Sequence, residues 1–156
     1  MIGQRLFVFG CMVATLAIPG RVSAQLPDSR KTPGDTATSK MAQVCAPDFA
    51  ASFKPVPGWA RNRALEGYGI RPETFSSELD HVVPLLLGGS NNPDNLYPFH
   101  PNGAFTLDAK QTLAAKLRDL VCSGNMSLKE AQNAFRKDWT KEYQRQMNVQ
   151  VAASGK

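Results

Sequence analysis

Histidine is nearly missing from this chain: its 156 residues hold only two, His81 and His100. With no clustered histidines and no CxxC pair, a structural zinc site is disfavoured. Cysteine is scarce too, with three in the whole chain, so a multiply cross-linked miniature scaffold is excluded. Beyond residue 25 there is no apolar run near the roughly 20 residues that a membrane span requires. Acidic residues are outnumbered, 13 against 18 basic, for a formal charge of +5. That balance permits a polyanionic partner without requiring one.

The N-terminus holds the one long apolar stretch. Arg5 precedes the run Leu6 to Ile18, a Pro-Gly break follows, and Val22-Ser23-Ala24 supplies the small residues of a cleavage site. This is the layout of a secretory signal peptide over residues 1–24, with the mature chain starting at Gln25. The run is about 13 residues, short for a membrane anchor. Cys11 follows Gly10, the hint of a lipoprotein signal, but lies too early for one. The expected location is therefore periplasmic or secreted, with no stable membrane association after cleavage. Arg5 and Arg21 would leave with the signal, taking the charge from +5 to +3. The remainder is of one-domain length.

Cys45 and Cys122 stay in the mature chain. In an exported protein two cysteines suggest one disulfide, and two separate buried thiols are the alternative. The bridge would close a loop of nearly 80 residues, a constraint of roughly 4 to 5 kcal/mol in the chain-entropy model.

Residues 25–44 are rich in Pro, Ser, Thr and charge, and read as a disordered leader. The folded domain is expected over 45–147 and a frayed tail over 148–156. Pro47, Pro55 and Pro57 make residues 45–58 extended and irregular. A short helix is predicted from Pro57 through Leu65, stopped by Gly67-Tyr68-Gly69, and a turn at Pro72-Glu73-Thr74. Residues 77–83 suit a short strand. Gly88 to Asn95 is a dense turn region, and Leu96-Tyr97 a brief second strand. Two amphipathic helices close the chain. Leu113, Leu117 and Leu120 mark the first, with Lys110, Lys116 and Arg118 on its other faces. Ser127 and Glu130 form a capping box for the second, along which Ala131, Phe135, Trp139 and Tyr143 read as core. The fold class is α+β with a compact ββα unit near the middle.

The chemistry gathers around the scarce histidine. His81 sits in Glu78-Leu79-Asp80-His81-Val82-Val83-Pro84-Leu85, followed by Gly88-Gly89-Ser90 and Asn95-Leu96. This ordered series resembles the HNH (ββα-metal) endonuclease motif, D-H-(I/V)-x-P-L, G-G, N-L. It is also similar to short exported bacterial proteins that carry the motif before a lysine-containing helix and a Val-Cys-x-Gly segment, here Lys110 and Val121-Cys122-Ser123-Gly124. The resemblance covers residues 45 to 145, and its specific part is 78 to 96.

The resemblance implies a small ββα-metal (HNH-like) core with additional helices and a metal-dependent nuclease acting on DNA, with RNA as a second substrate. Hydrolysis of a phosphodiester needs a base for water and a cation for the developing charge. By the resemblance His81 is the base, Asp80 a metal ligand, and Asn95 fixes the histidine-bearing loop. Oxygen donors favour Mg²⁺ or Mn²⁺ over zinc. The third motif position has no residue at the usual spacing. Asn102 is the first choice for that ligand, His100 the second and Asp108 the third. Each residue also has a plainer reading. His81 can be a satisfied structural histidine, Asn95 a turn former, His100 structural, and Glu78 either a site partner or a surface residue. Lys110 and Arg118 read as a solvated helix face, with contact to phosphates as the alternative, and Arg61, Arg63 and Arg71 as surface residues that could add a basic rim. Two rivals stand beside the nuclease: a non-catalytic nucleic-acid- or protein-binding module on a degenerate scaffold, and a small disulfide-stapled protein whose Asp-His pair is structural.

Overall fold

The computed structural model of the chain describes residues 26–148. The signal peptide, Cys11, the cleavage site at Gln25 and the tail beyond Asn148 lie outside the described residues. No described helix is long and apolar enough to cross a membrane.

The architecture is α+β. In chain order it comprises α1 (Met41–Val44), α2 (Gly58–Gly67), β1 (Glu78–His81), β2 (Leu96–Phe99), α3 (Leu107–Cys122) and α4 (Leu128–Met147), with short 3-10 turns between. The two strands form an antiparallel hairpin with Asp80 opposite Tyr97 and His81 opposite Leu96. Side chains alternate along a strand, so this ribbon divides two apolar clusters. Tyr97 and Phe99 face the main core of α3 and α4, where Leu113, Leu117, Val121, Phe135 and Trp139 are buried. Leu96 and Leu79 face Ala60 and Ala64 of α2.

Local chemistry sets the helix ends as expected. Ser127 and Glu130 form the capping box of α4, and Thr106 caps α3 by accepting from the Ala109 amide. One feature of α4 was not foreseen. Asp138 leaves the helical conformation, and its carboxylate accepts from the Thr140 and Lys141 amides. An Asp that accepts amides two and three residues on is an N-cap, so α4 restarts there while Phe135 and Trp139 both stay buried. Cys45 and Cys122 form a disulfide with Cα atoms 5.5 Å apart, tying the end of α1 to the end of α3. Arg118, expected on a solvated face, instead donates to the Val44 and Ala46 carbonyls at 2.9 and 3.2 Å beside that bridge.

Residues 26–44, expected as a disordered leader, run along the domain. Their backbone is satisfied by the loop between the strands: Gly34 N–H donates to Asp94, Ala37 N–H to Gly88, and the Asp35 carbonyl accepts from Ser90 N–H. Side chains complete the seam, with Arg136 donating to the Gly34 carbonyl and Gln132 to those of Thr38 and Leu87. Composition correctly reported little apolar content. Long-range hydrogen bonding, which composition does not register, holds the segment instead.

Candidate catalytic site

Two glycines and one asparagine shape the loop that carries the histidine. Gly88 has φ +81°, and a Cβ there would stand 2.7 Å from the Thr38 carbonyl oxygen; a Cβ on Gly89 would stand 1.9 Å from that of Val83. Neither position has room for a side chain, and at Gly88 the left-handed backbone also favours glycine. Asn95 is fully buried. Its Oδ1 accepts from the Val83 and Asp35 amides at 2.8 and 3.3 Å, and its Nδ2 donates to the Val83 and Ser90 carbonyls at 3.0 and 2.8 Å. Its own carbonyl accepts from Val82 N–H. Every hydrogen-bonding capacity of the amide is used, so Asn95 ties Val83 and Ser90 of the loop after His81 to one another and to Asp35.

Asp80 and His81 are both in the ladder, so their side chains leave opposite faces of the ribbon. They nonetheless border one cleft of about 350 Å³, walled also by Phe53, Pro84, Leu86 and Gln111. On one face, His81 Nε2 meets Asn91 Oδ1 at 2.8 Å, while Asn91 Nδ2 donates to the Lys54 and Pro55 carbonyls. Those carbonyls fix the amide's orientation, so Nε2–H is the donor and the neutral ring carries its lone pair on Nδ1. Burial holds the His81 pKa below the ordinary histidine value, and Lys110 adds to this; the Asn91 hydrogen bond and the Asp80 charge oppose it. A neutral imidazole whose Nε2–H is pinned keeps its proton-accepting lone pair on Nδ1.

On the other face Asp80 meets Lys110, which was expected in solvent and is 3% exposed. Its Nζ lies 2.5 Å from Asp80 Oδ2, donates to the His81 carbonyl, and lies 3.4 Å from the Tyr97 hydroxyl. The rings of Tyr97, Phe135 and Trp139 surround it at 5.0, 5.9 and 6.0 Å. Burial pushes the ammonium below the usual lysine range, and Asp80 pulls it back by charge and hydrogen bond. The Tyr97 hydroxyl is pushed up by burial and by the Asp80 charge, and stays neutral. Sequence reasoning had a signal for Lys110: it shares the stripe of Leu113, Leu117 and Val121, at i+3, i+7 and i+11.

Neither His100 nor Asp108 joins Asp80 and His81 in a group that could hold a metal. His100 is exposed and follows Phe99, at the end of the ladder remote from His81. It lies three residues past the partner of Asp80, about 10 Å along a strand. Asn102 pairs through its backbone with Phe105 in the following turn. Asp108 is exposed in the first turn of α3. No group of three His, Cys, Asp or Glu side chains among the described residues could hold a metal. The donor set as arranged does not fit a divalent ion, because the carboxylate that would bind it is engaged by an ammonium. Glu78, Arg63 and Arg71 are exposed. Arg61 is structural: it donates to the Pro72 and Phe75 carbonyls and stacks on the Phe75 ring.

Compared with protein-family models, with curated proteins and with solved structures, the chain matches none.

Proposed function

We propose that the chain is an HNH-type phosphodiester hydrolase acting on nucleic acid, with His81 as its general base. One observation carries this: Asp80 and His81 border one cleft with Gln111 and Ala114 of α3, and the buried Asn95 amide staples the loop that follows His81. His81 Nδ1 would take the proton of a water molecule. The hydroxide would attack phosphorus, the P–O bond to the leaving oxygen would break, and solvent would protonate that oxygen. A net charge of +5 does not oppose a polyanionic substrate. The test is hydrolysis of single- and double-stranded DNA and of RNA, with Mg²⁺, with Mn²⁺ and with chelator. His81→Ala should lower the rate by about 10²- to 10⁴-fold, the usual contribution of a general base. Equal rates in the two proteins would dismiss His81 as the base.

A second function is favoured by one specific contact. The Lys110–Asp80 ion pair engages the carboxylate that catalysis by metal would use, which suits a binding module that holds nucleic acid or protein without turnover. Metal-independent binding by a protein with no hydrolytic activity would select it.

A further inference from the structure

We infer that the Lys110 ammonium is the resident cation of the Asp80 site, and that the carboxylate of Asp80 is thereby closed to divalent metals. This goes beyond hydrolysis and does not rest on turnover; it rests on the geometry around one nitrogen. An ammonium has three N–H donors, and Lys110 Nζ has three acceptors: Asp80 Oδ2, the His81 carbonyl and the Tyr97 hydroxyl. What those leave open is closed by the rings of Tyr97, Phe135 and Trp139, at cation–π distances. The stem rises from the first turn of α3, so the helix that covers the hairpin delivers the charge.

A metal at the same carboxylate would face two obstacles. Mg²⁺ and Mn²⁺ prefer about six oxygen ligands, and Asp80 Oδ2, the His81 carbonyl and the Tyr97 hydroxyl already accept from Nζ. The dication would also sit against a buried ammonium with little water to screen the repulsion. The lysine side chain is 3% exposed, so little water reaches the ammonium.

The test is Mn²⁺ titration of the full chain, read by the electron paramagnetic resonance of free Mn²⁺, for wild type, Asp80→Asn and Lys110→Gln. The wild type should show no Mn²⁺ site that Asp80→Asn removes. Lys110→Gln replaces the ammonium by a carbonyl oxygen of suitable reach. It should bind Mn²⁺ at least about tenfold more tightly than wild type, a difference of about 1.4 kcal/mol. Adding Asp80→Asn should abolish the gain. A wild-type Mn²⁺ site lost in Asp80→Asn would overturn the inference, as would a folded Lys110→Gln protein with no gain. A wild-type site that survives Asp80→Asn lies elsewhere and supports it. Should Lys110→Gln fail to fold by circular dichroism, the wild-type and Asp80→Asn pair decides alone. Because metal is read and not hydrolysis, failure here is distinct from failure of the hydrolase proposal.

Discussion

The two faces of the β1–β2 ribbon treat neighbouring residues in opposite ways. Asp80, toward α3 and α4, is locked into an ion pair with a lysine enclosed by three aromatic rings. His81, toward α2, is held by a single asparagine whose own anchors are the backbone carbonyls of an irregular segment. The first face is built to stay fixed: the ammonium is enclosed and the carboxylate only 20% exposed, and removing either leaves the other without its partner. The second is built to present a titratable nitrogen. The same two-residue periodicity that separates the side chains lets one ribbon carry an enclosed ion pair on one face and a hydrogen-bonded histidine on the other.

That contrast breaks most sharply at Lys110. Lys110→Met keeps the stem and removes the charge, leaving Asp80 buried beside aromatics without its partner. Breaking a buried pair from one side costs about 3 to 5 kcal/mol, and the 20% exposure of the Asp80 side chain points to the lower end. Urea unfolding should show the midpoint fall with an unchanged slope. The double variant Lys110→Met, Asp80→Leu should recover most of the loss, because an apolar pair of similar volume is tolerated where an unpaired charge is not. If the double variant is no more stable than the single one, that face is held by packing and not by the ion pair.

Asn95 tests the joint between the faces. Asn95→Ala orphans the Val83 amide and the Val83 and Ser90 carbonyls at once. Each buried group left unpaired costs about 1 to 3 kcal/mol, reduced wherever water can enter. A loss of about 2 to 4 kcal/mol is expected on that basis, together with faster amide exchange across residues 82–90. Loss of stability with protection of that loop intact would show that Asn95 supports the core and not the histidine's mount.

The sequence made one face much easier to read than the other. The glycine pair and Asn95 were legible as the shapers of the loop: only glycine fits against the Thr38 and Val83 carbonyls, and the Asn95 amide ties that loop together. The capping box of α4 and its buried aromatics were legible for the same local reason. Lys110 was misread because lysine is so rarely enclosed and because the stripe was drawn through Leu120, which sets the lysine on another face, where Val121 is the buried residue. Residues 26–44 were misread because their order comes from hydrogen bonds to partners 50 or more residues away, as in Asp35 with Asn95 and Ser90. A third ligand was sought in 100–108 by resemblance, while the helix that follows presents an ammonium to Asp80.

The smallest expected effect belongs to the open face. Asn91→Ala removes the hydrogen bond to His81 and the contacts to Lys54 and Pro55. At neutral pH it should lower stability by only about 1 kcal/mol, the usual net value of a hydrogen bond. Its distinctive signature is in titration. The imidazolium is the stronger donor, so the bond to Asn91 Oδ1 favours the protonated ring and partly offsets the burial that holds the His81 pKa down. Without Asn91 that pKa should fall further. Because the folded value lies below the unfolded one of about 6.5, the unfolded chain takes up the proton first. Stability from a neutral His81 is therefore complete above that pH and lost as pH falls toward the folded value. In Asn91→Ala the decline should extend to lower pH than in wild type. Nuclear magnetic resonance titration of the His81 ring, assigned with His81→Ala, reads the shift directly. A rise in the His81 pKa would mean that loosening the 54–55 segment admits water to the ring. The open face would then be governed by solvation and not by the one hydrogen bond that holds it.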